Sequence, residues 1–192
     1  MAQDEAVKAA AKLCVIGGSA GSLQVLLRIL PALKTSDCCA VIIVLHRPAE
    51  DEGQLTALLD LKTNWQVKEA EDKDSILPNI IYLAPGGYHL LVEKDRTLAL
   101  DSSEKINYSR PSIDPTFETA AEAFGPDLRC LLISGANADG VKGLMVAAAH
   151  RAVIAIQDPA EAQVGFMPAS ALRMLPDSLV LSTAQMADYV SG

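Results

Sequence analysis

Leu13-Cys14-Val15-Ile16-Gly17-Gly18-Ser19-Ala20-Gly21-Ser22, continuing into Leu23-Gln24-Val25-Leu26-Leu27, is an apolar run that stops at a glycine pair and passes at once into an apolar segment of helical character. The local reading is strand, tight turn, helix. Residues 17 to 21 spell G-x-S-x-G, in which flanking glycines allow a strained turn to present a serine hydroxyl at the end of a strand. The same turn is close to a phosphate-binding loop, because a glycine-rich strand-to-helix turn aims backbone N–H groups at whatever lies above the helix. Both readings stand on these residues alone.

Outward from that stretch the pattern alternates. A strand over about 12–17 leads to a helix near 22–33. The very apolar Ala40–Leu45 ends at His46-Arg47-Pro48, and a second helix fits roughly 51–61. Short strands at 66–70 and 80–83 precede a hairpin, 88–92 with 97–100, turning at 93–96. A polar loop over 101–113 gives way to a helix reaching Phe124, read with Asp114 as its cap and Pro115 at its first position. Arg129–Ser134 reads as a strand, followed by Gly135–Gly140 and a helix to about His150. A strand over 152–156, a helix over 168–174, a strand over 179–182 and a terminal helix complete the chain. Apolar strands alternating with helices predict a doubly wound α/β fold, with a mainly parallel sheet, helices on both faces and a peripheral antiparallel hairpin.

The 192 residues, half of them hydrophobic, suit one domain with a full core, read as a leader over 1–11 and a catalytic domain over 12–192. A net charge of −8 gives no electrostatic footprint for nucleic acid. No uncharged run approaches the roughly 18 residues that cross a bilayer, so the expectation is a cytoplasmic protein without direct membrane insertion. Cys14, Cys38, Cys39 and Cys130 lack C-x-x-C spacing and read as reduced thiols, and three scattered histidines predict no metal site and no cofactor.

In a parallel α/β sheet, ligands gather beyond the carboxyl ends of the strands. Ser19, His46 and Asp139 each fall just past such an end. A serine hydroxyl needs a neighbouring base to take its proton, and an acid can orient that base and stabilise its cation. Taken singly, Ser19 also fits a helix-capping serine, His46 a polar strand end and Asp139 an ordinary helix cap. Jointly they fit Ser-His-Asp chemistry, in a chain order unlike the Ser, Asp, His order of the α/β-hydrolases. His89, in the hairpin, and His150, at a helix end, read as structural. Arg110 reads either as a brace for a carboxylate or as a solvated loop cation.

Gly17–Gly21, Leu45–Pro48, Lys68–Asp72, Tyr82–Gly86, Arg110–Asp114, Ser134–Gly140 and Gly165–Pro168 occur in the order seen in the catalytic domain of CheB-type chemotaxis receptor methylesterases, and the chain resembles that family over roughly 12 to 190. The resemblance implies hydrolysis of glutamate γ-methyl esters on the cytoplasmic domain of methylated chemoreceptors, releasing methanol, with deamidation of certain glutamines. It implies Ser19 as nucleophile, His46 as general base and Asp139 as orienting acid. It further implies an oxyanion and site loop drawn from Ala20, Gly135, Ala136 and Asn137, with Arg110 and Met167 in support. Ala20, Arg47, Ala136 and Asn137 depart from the family's usual residues; Ala136 replaces a methionine used through its backbone N–H, and Asn137 is expected to keep a glycine's positive φ. Arg47 is expected to add charge at the mouth. The family's phosphoacceptor receiver domain has no counterpart in an eleven-residue leader, which implies a stand-alone esterase with an open site, a domain cut from a longer protein, or a subunit regulated by a separate receiver protein.

Two other functions fit parts of the sequence. A catalytically silent signalling or scaffold module would keep the fold and bind receptor or partner proteins. A nucleotide-binding module would use the first turn, but it lacks the third glycine of G-x-G-x-x-G and any P-loop lysine.

Overall fold

The computed structural model describes residues 9–49 and 53–192. Its strands are β1 (Lys12–Gly18), β2 (Cys39–Leu45), β3 (Gln66–Glu69), β4 (Ile80–Leu83), β5 (His89–Val92), β6 (Leu98–Asp101), β7 (Leu128–Leu132), β8 (Val153–Gln157) and β9 (Leu179–Leu181). Its helices are α1 (Ser22–Ile29), α2 (Gln54–Asp60), α3 (Ile113–Phe124), α4 (Val141–Ala149), α5 (Phe166–Met174) and α6 (Thr183–Ser191).

Side chains that alternate along a strand face opposite sides of the sheet, and β1 shows what each side meets. Leu13 and Val15 pack with Phe117 of α3, Leu144 of α4 and Ala171 of α5. Cys14 and Ile16 pack with Leu26 of α1, Leu59 of α2 and Met186 of α6. Both faces are therefore covered, which is why β2 reads as an unbroken apolar run and is buried throughout. The seven strands lie in the order β3-β4-β2-β1-β7-β8-β9, all pairs parallel. The chain winds outward from β1 through β2 on one side and through β7 on the other. The separate antiparallel pair β5-β6 packs against α3 through Leu90, Val92 and Leu98.

The observed elements refine several boundaries. α1 stops at Ile29, and Leu30–Ala32 continues as a 3₁₀ turn around Pro31, which has no N–H for an α-helical ladder. The expected helix over 51–61 is present over Gln54–Asp60, with 51 and 52 outside the described residues. Of the expected leader, residues 1–8 lie outside the described residues, while Ala10 is buried and its N–H donates to Ile76 O at 2.8 Å, so packed chain begins ahead of Lys12. Asp114 does not cap α3, nor is Pro115 its first residue: the helix begins at Ile113, with Ser112 in the cap position but making no side-chain cap bond. The Ser112 hydroxyl donates to Asp139 and the Asp114 carboxylate accepts from Gly143 N–H at 2.8 Å, so both side chains are turned towards the neighbouring loop and helix.

α3 and α4 meet closely at Gly143, where an added Cβ would lie 2.6 Å from Asp114 O and 2.7 Å from Phe117 Cβ. Gly143→Ala is expected to lower stability by about 1–3 kcal/mol through overpacking, read from urea unfolding midpoints. A variant as stable as the parent would show that the two helices can separate without loss.

Candidate active site

β2, β1 and β7 are neighbours, and the chain leaves each of them at one edge of the sheet. Gly18 pairs with Leu45 and Gly17 with Leu132, so Ser19, His46 and the loop carrying Asp139 emerge side by side from strands about 4.8 Å apart. The His46 N–H donates to Gly18 O at 3.4 Å and the Ser19 N–H to Ser134 O at 2.9 Å. This is the point where the winding reverses, the usual place for a ligand in such folds.

Asp139 is the electrostatic centre of the edge. Its side chain has no solvent exposure and accepts from His46 Nε2 at 2.7 Å, Ile113 N–H at 2.7 Å, Ser112 Oγ at 2.8 Å, Asn107 Nδ2 at 2.8 Å and Gly140 N–H at 2.9 Å. Burial by itself raises this carboxyl, but the bonds from His46, Ile113 N–H, Asn107 and Ser112 outweigh it and hold it down at about 2. Asp114 beside it is pushed the other way, chiefly by burial and then by the Asp139 charge, against the Gly143 N–H bond. Asn107 Nδ2 bridges the two carboxylates, reaching Asp114 Oδ2 at 2.9 Å. His46, its side chain 12% exposed, thus has Nε2 committed to the acid. Among the described residues neither His46 Nδ1 nor Ser19 Oγ has a hydrogen bond. Such looseness is common before substrate binds.

Ser134 fastens the serine loop. Its carbonyl accepts from Ser19 N–H and from Ser22 Oγ at 2.7 Å; its hydroxyl donates to Ala20 O at 2.7 Å and accepts from Val164 N–H at 2.9 Å. Its own N–H donates to Gln157 Oε1 at 2.8 Å. The turn is made by Gly21 at φ 82°, in the left-handed region, whereas Ser19 is outside that region; the strain expected at the serine falls on a glycine that tolerates it. The α1 cap is Gly21 without a side-chain bond, so the Ser19 hydroxyl is not spent on capping.

The Ala20 and Ala136 amides make no hydrogen bond among the described residues, and both residues are exposed at this edge. Gly135, grouped with them from the sequence, is already engaged: its N–H donates to Val164 O at 3.0 Å, so it supplies loop shape and no free donor. Asn137 does not take positive φ; its Oδ1 accepts from Asp139 N–H at 3.1 Å, and the left-handed residue of the loop is Gly140. Met167 is buried under the loop, its N–H donating to Gly135 O at 2.9 Å, and a Cβ on Gly135 would come within 2.5 Å of its methyl carbon.

Arg110 neither braces a carboxylate nor points freely into solvent. Its Nη1 donates to Ser102 O at 2.7 Å and Ser103 O at 2.6 Å, binding its loop together. Arg47 is not an open charge at the mouth; its side chain is 5% exposed and pairs with Glu69. His89 is fully buried, Nε2 donating to Glu104 O at 3.0 Å and Nδ1 accepting Ser112 N–H at 3.2 Å, and His150 bonds Val146 O at 3.0 Å in the last turn of α4. All four cysteines are free thiols. A cleft of about 470 Å³ beside His46 is lined in part by Gly87, Lys105, Tyr108 and Arg110. A second, apolar cavity of about 490 Å³ lies at the opposite edge, where β8 and β9 begin, and holds no residue of the constellation.

Asn107, Ser112, Ser134 and Gln157 had no role in the sequence reading. Ser134 and Gln157 carry a visible signal, each a polar residue closing an apolar strand. Asn107 carries none, since loop asparagines are commonplace.

The fold and its polar edge place this chain among the α/β hydrolytic enzymes, and comparison with known proteins narrows the class. The model of the CheB methylesterase family matches residues 14–190. A putative protein-glutamate methylesterase/protein-glutamine glutaminase of Leptospira interrogans is 39% identical over 91% of this chain and 90% of its own length. A protein-glutamate methylesterase/protein-glutamine glutaminase of Paramagnetospirillum magneticum is 30% identical over 93% of this chain, which spans 48% of that relative. The crystal structure of the Thermotoga maritima CheB methylesterase catalytic domain superposes with a TM-score of 0.88 at 30% identity, covering 94% of this chain and 97% of that one. The chain belongs to the CheB methylesterase family. No helix among the described residues is long and apolar enough to cross a membrane.

Because Asp139 in the fold titrates at about 2 against an ordinary 3.8, its stabilisation is present above about pH 4 and is lost as pH falls towards 2. The shift corresponds to about 2 kcal/mol. About half of it is gone by pH 3, so urea unfolding at about pH 6 and pH 3 is expected to show a loss of about 1 kcal/mol in the parent that Asp139→Asn lacks. Asp114, shifted upward, acts with the opposite sign at higher pH. Equal pH slopes in the two proteins would contradict the assignment.

Proposed function

We propose that the chain hydrolyses glutamate γ-methyl esters on the cytoplasmic helices of chemoreceptors through Ser19, His46 and Asp139, within a catalytic domain spanning 12–192. The observation that carries this is the His46–Asp139 bond of 2.7 Å at the edge where Ser19 is held with an uncommitted hydroxyl. Because Nε2 faces the acid, the proton of Ser19 Oγ passes to His46 Nδ1 as the oxygen attacks the ester carbonyl carbon. The tetrahedral oxyanion is met by the N–H groups of Ala20 and Ala136, donors that do not depend on the side chain. Collapse breaks the C–OCH₃ bond, and His46 returns the proton to the departing oxygen, releasing methanol. His46 then takes a proton from water, hydroxide adds to the acyl-serine, and Ser19 leaves with that proton, giving glutamate. With a glutamine the same steps expel ammonia. The setting is cytoplasmic, and a separate receiver protein is the proposed regulator.

Methanol release from methylated chemoreceptor cytoplasmic fragments tests the reading directly. Ser19→Ala and His46→Ala are each expected to lower kcat by about 10³-fold or more, and Asp139→Asn by about 10²–10⁴-fold. Turnover that survives Ser19→Ala would remove the nucleophile and with it this mechanism. A folded parent that releases no methanol, even with a phosphorylated receiver protein added, would overturn the enzymatic reading.

A further inference from the structure

Few aromatic residues are available to this chain: one tryptophan, four tyrosines and three phenylalanines. Trp65, Tyr82, Phe117 and Phe124 are buried and Tyr189 is half-buried; the three left open are Tyr88 at 43%, Tyr108 at 97% and Phe166 at 54% exposure. All three lie on the catalytic edge, Tyr88 and Tyr108 in loops and Phe166 as the first residue of α5, and none is on the opposite edge. Exposed aromatics grouped on one face are the usual anchors of a protein interface.

Each is also the chain neighbour of a residue built into the site. Tyr108 follows Asn107, whose amide holds the carboxylates of Asp139 and Asp114; both take positive φ, 51° and 63°, in the turn between Ile106 and Ser109. Phe166 precedes Met167, which packs under Gly135 and donates its N–H to that residue's carbonyl. Tyr88 precedes His89, whose ring accepts the N–H of Ser112, itself a donor to Asp139. The rim is thus fixed to the triad acid and the serine-side loop.

We propose that Tyr88, Tyr108 and Phe166 form a docking rim for the folded protein that carries the ester. The inference rests on the esterase reading above and extends it to how the substrate is selected. Width separates a protein partner from a free ester. Tyr88 follows β4 and Phe166 follows β8, four positions along in the sheet order, so the strand ends behind them lie about 15–20 Å apart. A methyl ester on a single residue cannot touch both ends, whereas a helix lying along the edge, at about 1.5 Å per residue, covers that length with about 10–13 residues. The occupant is the helical surface of the protein that carries the modified glutamate, with apolar side chains set against the rings, and Lys105 in the cleft gives the resulting carboxylate a cation nearby.

The test compares a methylated chemoreceptor cytoplasmic fragment with p-nitrophenyl acetate. Tyr108→Ala, Phe166→Ala and Tyr88→Ala are expected to lower the ratio of kcat/KM for the protein over that for the small ester by about tenfold for at least the first two. Tyr108→Phe should restore most of the ratio, and Leu61→Ala, at an exposed leucine outside the rim, should leave it alone. In a Ser19→Ala background the same rim changes are expected to raise the Kd for the uncleaved fragment about tenfold, a reading that needs no turnover. An unchanged ratio together with an unchanged Kd overturns the rim, even where the parent is active. A rim effect confined to binding of an added receiver protein assigns the face to that partner and overturns it equally. Survival of both activities in Ser19→Ala sinks the esterase reading instead, so the two failures are distinguishable.

Discussion

Asp139 keeps a negative charge in a place from which water is excluded, and much of the catalytic edge is arranged to meet that cost. Removing a carboxylate from water without replacement bonds is prohibitive, so a buried anion has to be surrounded by donors. Here they come from three directions: backbone N–H groups of Ile113 and Gly140, side chains of Asn107 and Ser112, and the His46 ring. The start of α3 supplies Ser112 and Ile113, which adds the favourable end of a helix dipole to the bonds themselves. The position of α3 is therefore part of what keeps this charge in place. Were it to move, the acid would lose its partners and His46 its orientation.

The serine side of the edge is governed by geometry more than by charge. A single residue, Ser134, uses its N–H, its carbonyl and its hydroxyl to tie Gln157, Ser19, Ser22, Ala20 and Val164 together. No side chain is tolerated at Gly18, where a Cβ would lie 2.2 Å from Ser22 Oγ. Positioning of this kind governs an acyl transfer because the attacking oxygen and the oxyanion donors must be placed together before the reaction begins.

The period of the hydrophobic pattern made the α/β architecture legible, since β1 and β2 must be apolar on both faces to sit inside a covered parallel sheet. It made Ser19, His46 and Asp139 legible as a set, because three polar residues closing apolar strands share one edge in that architecture. What stayed hidden depended on where side chains turn. Asp114-Pro115 carries a helix-start signal, yet Asp114 reaches across to Gly143 and the helix begins earlier. Arg110 reads as a carboxylate brace or a solvated cation and instead binds carbonyls of its own loop, and Arg47 reads as a charge at the mouth but is buried against Glu69. Asn137 was expected to preserve loop shape through its backbone and instead caps Asp139 N–H with its side chain. Long-range polar partners leave no periodic trace in a sequence.

A rigid site and an exposed mouth make opposite demands, and the polar loop from Lys105 to Arg110 meets both. Asn107 turns inward to the carboxylates while the next residue, Tyr108, is almost wholly in solvent, and both are in the left-handed conformation. Two successive non-glycine residues in that region are costly, of the order of 1–3 kcal/mol each for a strained backbone, and persist where surrounding bonds over-determine them. The bonds from Asn107 to Asp139 and Asp114 are such bonds, and Ile106 and Ser109 exchange two backbone hydrogen bonds across the turn. The exposed ring is thereby held at a defined distance from the acid. Ordering a surface side chain on binding ordinarily costs free energy, and a ring whose backbone is already fixed from inside has less of that cost left to meet.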